Sequence, residues 1–368
     1  MITNFESSSV KRIFTTLFCC PVVLVFMLAA CANSGTQTTA PSNVQATAQP
    51  ANHNGIAALD GYQVSLFASG TAAYTNPDSA VVANGNVFLD YQNNTAKDGT
   101  DNKTSTIVEY TMDGKVVKTF SGPGHSDGMR MDPKTKLLWV ISNEDANPKM
   151  ETIDPASGTI TPYTFPTTPH GGGYDDVSFI NGDAFISASN PTLDKKGNTS
   201  FPAVDKIVLS SGKATLTPIL MGNASATDTT ASANNAKVTL NEIDPDSLST
   251  NANGDLVLVD QAGLEIVTIT KPGTADQKVT RLATGSQLDD TVWATGATGR
   301  LLVIDGKKNS TYWLRTNFTP GTVYTETPDD SGMAGVVGKV NTSTGIISPV
   351  AIGFGKPTGL LFVPDTQS

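Results

Sequence analysis

The chain has 368 residues, with 24 Lys and Arg against 34 Asp and Glu and a formal net charge of −10. That balance, without a basic patch, excludes nucleic acid as an expected partner, and anionic lipid headgroups should repel the folded part. Three cysteines exclude a disulfide framework, so stability must come from burial and a closed topology.

The first element is a targeting segment. Lys11-Arg12 precede an apolar run that ends on Leu28-Ala29-Ala30-Cys31. A basic start, an apolar middle and a small-residue end are the parts of a secretory signal peptide. Thr15, Thr16 and Pro21 inside the run, and the small residues before the cysteine, argue against a membrane span. Leu-Ala-Ala-Cys closely resembles the lipobox of bacterial lipoproteins. The resemblance implies that residues 1–30 are a signal peptide containing Cys19 and Cys20. It also implies that Cys31 is the lipidated first residue of an exported, membrane-anchored chain. In a Gram-negative envelope, Ala32 in place of Asp implies sorting to the outer membrane, facing the periplasm or the cell surface. Residues 31–54 are rich in Ala, Ser, Thr, Gln, Asn and Pro without apolar periodicity and read as a flexible lipidated tether, with His53 solvated. The folded domain is expected over 55–368.

From there the chain reads as all-β. Short runs rich in Val, Ile, Leu, Thr, Tyr and Phe alternate with Asn, Asp, Gly and Pro turns. A motif recurs at positions 78, 127, 176, 246, 290 and 358, each before a short apolar strand. Turns follow the first five: Asn84-Gly85, Lys134-Thr135, Asn181-Gly182, Asn253-Gly254 and Thr298-Gly299. An apolar strand comes next each time, as in Val87-Phe88-Leu89 and Leu301-Leu302-Val303-Ile304. A second hairpin then turns at Asp113-Gly114, Ser157-Gly158, Ser211-Gly212, Gly273 and Thr344-Gly345. Two hairpins per repeat make a four-stranded blade, and the spacing predicts a six-bladed β-propeller. The sixth repeat has only its innermost strand, so Tyr62-Gln63-Val64-Ser65-Leu66-Phe67 is expected as its outer strand, closing the ring with both terminal strands. A seventh blade beginning at residues 321–324 is the alternative. The long third spacing holds polar insertions near 193–201 and 223–237, the latter expected as a mobile loop.

The topology puts the repeated acids on one face. Asp78, Asp127, Asp176, Asp246 and Asp290 precede the inner strands, and Asp90, Asn143, Asn190, Asp260 and Asp305 end the second strands. Two readings stand: a hard-cation site for Ca²⁺ or a similar ion, or carboxylates that cap turns before each strand. His125 and His170 precede the inner strands of adjacent repeats, within Gly124-His125-Ser126-Asp127 and Pro169-His170-Gly171-Gly172-Gly173. They are candidate catalytic bases or metal ligands, with the glycines permitting close approach of a ligand or a neighbouring loop. Asn143, Glu144 and Asn190 are candidate ligand-binding residues on that face, with Asp145 a further partner. Trp139, Trp293 and Trp313 fall in strand runs and read as core. Serine-hydrolase, zinc-peptidase and phosphate-loop motifs are absent from the sequence.

The repeats resemble NHL-type and gluconolactonase-like six-bladed propellers over most of residues 55–364. Pro169-His170-Gly171 is similar to a turn in streptogramin-lyase-like propellers. The Glu, Asn, Asn, Asp metal set of propeller hydrolases does not map onto this chain residue by residue. The first functional expectation is a propeller binding a small molecule, glycan or protein on its acidic face. The alternative is a metal-dependent hydrolase or lyase of lactones or esters, with His125 or His170 as base.

Overall fold

The computed structural model describes residues 54–59, 61–328, 333 and 335–365. The signal peptide, Cys31, most of the tether and His53 lie outside them. The described chain is all-β, with a single 3-10 turn at Ala231–Ala233.

Two strands come first, β1 (Ala57–Ala58) and β2 (Gln63–Ser69). Three four-stranded antiparallel meanders follow. The first is β3 (Pro77–Ala83), β4 (Asn86–Tyr91), β5 (Thr106–Thr111) and β6 (Val116–Ser121). The second is β7 (Ser126–Met131), β8 (Leu138–Ser142), β9 (Lys149–Ile153) and β10 (Ile160–Thr164). The third is β11 (Tyr174–Ile180), β12 (Asp183–Ala188), β13 (Pro202–Ser210) and β14 (Lys213–Met221). Outer strands β10 and β14 meet through one parallel pair, Thr164 with Lys213.

A hairpin of β15 (Ser225–Asp228) and β16 (Lys237–Thr239) then leads into β17 (Pro245–Thr250), β18 (Leu256–Asp260), β19 (Glu265–Thr270) and β20 (Lys278–Ala283). The insertion at 223–237, expected as a loop, thus carries β15, the 3-10 turn and the first residue of β16. β15 pairs in parallel with β20 at Thr280 and Arg281, which covers an edge that would otherwise stand open.

The remaining strands are β21 (Thr291–Trp293), β22 (Gly299–Asp305), β23 (Ser310–Arg315), β24 (Val323–Thr327), β25 (Val336–Val340), β26 (Ile347–Ile352) and β27 (Pro357–Pro364). Here the chain departs from the sequence reading. β22 does not pair with β21. It pairs with β27, and the sheet order is β2-β23-β22-β27. β21 takes β24 as its partner, in the order β1-β26-β25-β24-β21. The reason is ladder length. β21 offers three residues, whereas β27 matches β22 from Gly299↔Pro364 to Asp305↔Pro357. Val323 and Tyr324 accordingly enter β24, the second strand of this sheet. The expected outer strand is β2, hydrogen-bonded to β23.

Central strands are buried on both faces, which is why they read as unbroken apolar runs. In β4, Val87, Leu89 and Tyr91 pack toward β22 and β23, where Leu302 and Trp313 lie. Phe88 points the other way, toward Met129, Leu138 and Val140 of the second meander. Trp139 joins a seam with Ile186 and Ile207, so these two tryptophans are core.

The exchange of β22 is open to direct test. Arg300→Cys with Val363→Cys places thiols on paired Cα positions of β22 and β27, within disulfide range for adjacent antiparallel strands. Oxidation should close this bond in the folded protein, read as a mobility shift on non-reducing gels. A β21–β22 hairpin would leave both thiols free.

Candidate metal centre

The inner strands share one irregularity. In β3 the pairing runs Pro77↔Tyr91 and then Ala80↔Leu89, so three steps on one strand oppose two on the other. The same bulge occurs at Ser126/Met129, Tyr174/Val177 and Pro245/Leu248. A bulge re-aims the residue it adds. Counting back two from the residue that resumes pairing gives Asp78, Asp127, Asp175 and Asp246. In β21 the residue two before the first paired one is Asp289, and in β27 the residue left unpaired at the register shift is Thr358. All six line one cavity of about 510 Å³.

The sequence reading named Asp78, Asp127, Asp176, Asp246 and Asp290, and all five line this cavity. Asp176 and Asp290 stand one position later than their register equivalents, and they bind the backbone of neighbouring strands. Asp176 accepts the Leu248 amide at 3.0 Å and the Arg130 guanidinium at 2.7 Å. Asp290 accepts the Leu360 amide at 2.9 Å. The sequence reading passed over Asp175, Asp289, Lys97 and Arg130. Nothing local in the sequence separates Asp175 from Asp176 or Asp289 from Asp290, because strand pairing sets the register.

The acids and amides that end the second strands act mainly as braces. Asp90 accepts the Ser79 amide at 2.6 Å. Asp260 accepts those of Ile243 and Asp244, both at 3.0 Å. Asp305 accepts those of Gly355 and Lys356. Asn143 is fully buried and outside the cavity lining. Its Oδ1 accepts the His125 amide at 3.0 Å and its Nδ2 donates to the Asn147 carbonyl. It positions His125 rather than meeting a ligand. Asn190 differs from this set, lining the cavity and donating to Asp145 at 3.2 Å.

His125 is 4 % exposed. Its Nδ1 lies 2.9 Å from the Thr95 carbonyl, which can only accept, so Nδ1 carries the proton. The lone pair then sits on Nε2, which has no hydrogen-bond partner and faces Asp127 Oδ1 at 3.4 Å. Burial holds the imidazole below its ordinary pKa and keeps it neutral. A ring nitrogen of His125, an Asp127 oxygen and a Glu144 oxygen lie within 4.8 Å of one another. Glu144 is ion-paired with Lys97. The glycine run supports this wall. A side chain at Gly173 would strike the Asn143 carbonyl, and the Gly173 amide donates to the Glu144 carbonyl at 2.8 Å.

His170 is placed elsewhere. It is fully buried, absent from the cavity lining, edge-on to Tyr174, and its Nδ1 accepts the Gly172 amide at 3.2 Å. Burial lowers its pKa to about 4.

The cavity wall carries ten carboxylates and four cationic side chains. Burial pushes Asp127 well above the usual carboxylate range, and Glu144 and Asp78 add to the effect. Asp246 is raised likewise, first by burial and then by Asp289. Gln92 and Gln261 each donate an amide to this ring, at 3.0 Å to Asp127 and 2.7 Å to Asp246. A neutral histidine nitrogen and crowded carboxylates are donors in want of a cation.

No family model matches the chain, and no curated protein matches it. Several solved structures are similar at low identity. A protein of unknown function from Bacteroides caccae is 11 % identical over 78 % of this chain and 87 % of its own, with a TM-score of 0.47. The periplasmic gluconolactonase of Pseudomonas aeruginosa is 12 % identical over 78 % and 88 %, with a TM-score of 0.46. Virginiamycin B lyase from Staphylococcus aureus is 13 % identical over 82 % and 100 %, with a TM-score of 0.40. The chemistry of the site rests on its own residues.

The raised carboxyls set a pH dependence for the metal-free protein. A carboxyl with a raised folded pKa contributes stability that is whole below the ordinary carboxylate range and lost as pH rises through the folded value. Burial lifts Asp176 and Asp244 to about 6 and Asp90 and Asp260 to about 7. The loss therefore falls between about pH 4 and pH 7. His125 and His170, lowered by burial, act in the opposite sense and are outnumbered. Calorimetry in EDTA should give a lower Tm at pH 8 than at pH 5, and Asp246→Asn should raise the pH 8 value. A Tm that climbs with pH would contradict this.

Proposed function

We propose that the chain is an envelope-anchored, six-bladed β-propeller that holds a divalent cation at His125, Asp127 and Glu144. Its reaction is the opening of an ester or lactone by hydrolysis or elimination. Six blades in a closed ring are supported by the order of neighbours. β3 lies beside β7, β7 beside β11, β11 beside β17, β17 beside β21, β21 beside β27, and β27 beside β3. Envelope anchoring rests on the Leu28-Ala29-Ala30-Cys31 pattern.

The observation that carries the function is the buried Nε2 of His125, without a hydrogen-bond partner among the described residues, facing Asp127 in a cluster that includes Glu144. An imidazole among the donors moves the preference from calcium toward Mn²⁺ or Zn²⁺. Three protein donors on an open cavity leave positions for water and substrate, as catalytic centres do. When bound, the cation supplies Lewis acidity toward a carbonyl or water oxygen. The protein's own groups do the rest. The Thr95 carbonyl and Asn143 hold the imidazole in its tautomer and place. Lys97 offsets the charge of Glu144. Burial raises Asp175 and Asp246 well above the usual carboxylate range, so a protonated carboxyl in this wall can supply a proton to a leaving oxygen. The excess of carboxylates disfavours anionic substrates, so the substrate class is a neutral ester or lactone.

The test joins metal content with turnover of neutral lactones and esters, before and after EDTA. The wild type should retain a divalent ion and lose turnover on chelation. His125→Ala should lose the ion and reduce kcat/KM by at least about 100-fold. Ion binding with no turnover would return the chain to the binding role of the first expectation. Turnover that survives both EDTA and His125→Ala would overturn the centre.

A further inference from the structure

A second carboxylate cluster lies behind the cavity wall. Glu242, Asp260 and Glu265 place oxygens within 4.8 Å of one another, and none of the three lines the cavity. Glu242 and Asp260 are fully buried and Glu265 is 4 % exposed. The β18–β19 connection brings Asp260 and Glu265 together as paired residues. The segment entering β17 supplies Glu242, whose amide is held by the Gly222 carbonyl at 3.0 Å.

The charges do not balance. Arg281 pairs with Glu265 at 3.0 Å and with Asp228 at 3.1 Å. Asp260 is solvated by three backbone amides, those of Ile243, Asp244 and Gly263. Glu242 has nothing comparable. Neither of its carboxylate oxygens has a hydrogen-bond donor, yet it lies within reach of Glu265 and feels Asp260. An ionised carboxylate without a partner in a dry interior is costly by several kcal/mol. Something positive must sit between Glu242 and its neighbours, either a proton or a cation.

We propose that Glu242, Asp260 and Glu265 bind a hard divalent cation, of the Ca²⁺ class, at a site separate from His125. The donor set is all oxygen, with two glutamates able to ligate through both oxygens, and it lacks the imidazole that distinguishes the cavity centre. Arg281 shares its single charge between Glu265 and Asp228, no ion pair reaches Glu242 or Asp260 among the described residues, and one divalent ion would balance the charges of those two. The site ties the β18–β19 hairpin to the strand entrance. Through the Asp260 bonds to Ile243 and Asp244 it stiffens the stretch that carries Asp244 and Asp246 into the cavity. Its role is structural, and it does not depend on the reaction proposed above.

The experiment uses the purified chain carrying His125→Ala, which removes the cavity centre. After EDTA treatment it is titrated with Ca²⁺ by calorimetry and melted with and without the ion. One ion per chain should bind, and saturating Ca²⁺ should raise Tm by about 4 °C or more. Adding Glu242→Gln should abolish both effects and leave Tm in EDTA unchanged or higher, because the substitution removes the uncompensated charge. Failure of His125→Ala to bind Ca²⁺, with Mg²⁺ equally silent, would overturn the proposal and identify a proton shared between Glu242 and Glu265. If the double variant does not fold, the titration of His125→Ala alone decides. Loss of the His125 centre with this ion retained would leave the present site standing and remove the other.

Discussion

One extra residue in each bulged inner strand decides which way its acid points. Without the bulge, strict alternation would turn the residue two before Ala80, Met129, Val177 or Leu248 toward the seams between sheets. With it, Asp78, Asp127, Asp175 and Asp246 converge on shared space. Burial first, and then the crowding of carboxylates, raises their pKa values, and the remaining polar machinery answers to it. Gln92, Gln261 and Arg130 are donors directed at those acids or the next residue along. The cavity is thus an electrostatic consequence of a backbone irregularity repeated around the fold.

The same residue type serves two ends here, and burial separates them. Asp90, Asp260 and Asp305 collect backbone amides at the ends of second strands and hold the loops that lead into the inner strands. The inner-strand aspartates have fewer amides to collect, and in their place stand other carboxylates. Bracing of turns therefore falls to the second-strand row, and the inner row contributes to the proposed cation site. His125 sits between them, fixed by one row through Asn143 and facing the other through Asp127.

Much of the strand layout was legible because turn chemistry is local. Asn84-Gly85 and Asn181-Gly182 adopt the positive φ values that Asn and Gly tolerate, so the hairpins fall where the dipeptides place them. The lipobox-like pattern is equally local, although Cys31 lies outside the described residues. What sequence could not show was pairing between distant segments. Leu301–Ile304 is as compatible with β21 as with β27, and only the longer ladder decides. Register was the second blind spot: a one-residue bulge separates Asp175 from Asp176 and cannot be seen in composition. His125 and His170 look alike in sequence, each beside glycine before an inner strand. Their separation depends on the Thr95 carbonyl in one case and Gly172 with Tyr174 in the other.

The crossing of β22 and β23 into the neighbouring sheet has a consequence for how the molecule is assembled. The first three meanders each form from continuous chain and can zip up as they emerge. The last sheet cannot, because its edges, β2 and β27, are almost the full described length apart. Closing so long a loop is slow, and its cost falls before its contacts reward it. Until β27 arrives, β22 offers a bare apolar flank, and β21 waits for β24 across the same gap. Once tied, the two sheets hold each other through strands that left and returned. Unfolding must withdraw both ends before either sheet is free. The crossing has the topology of a latch, in which release of either end waits on the other.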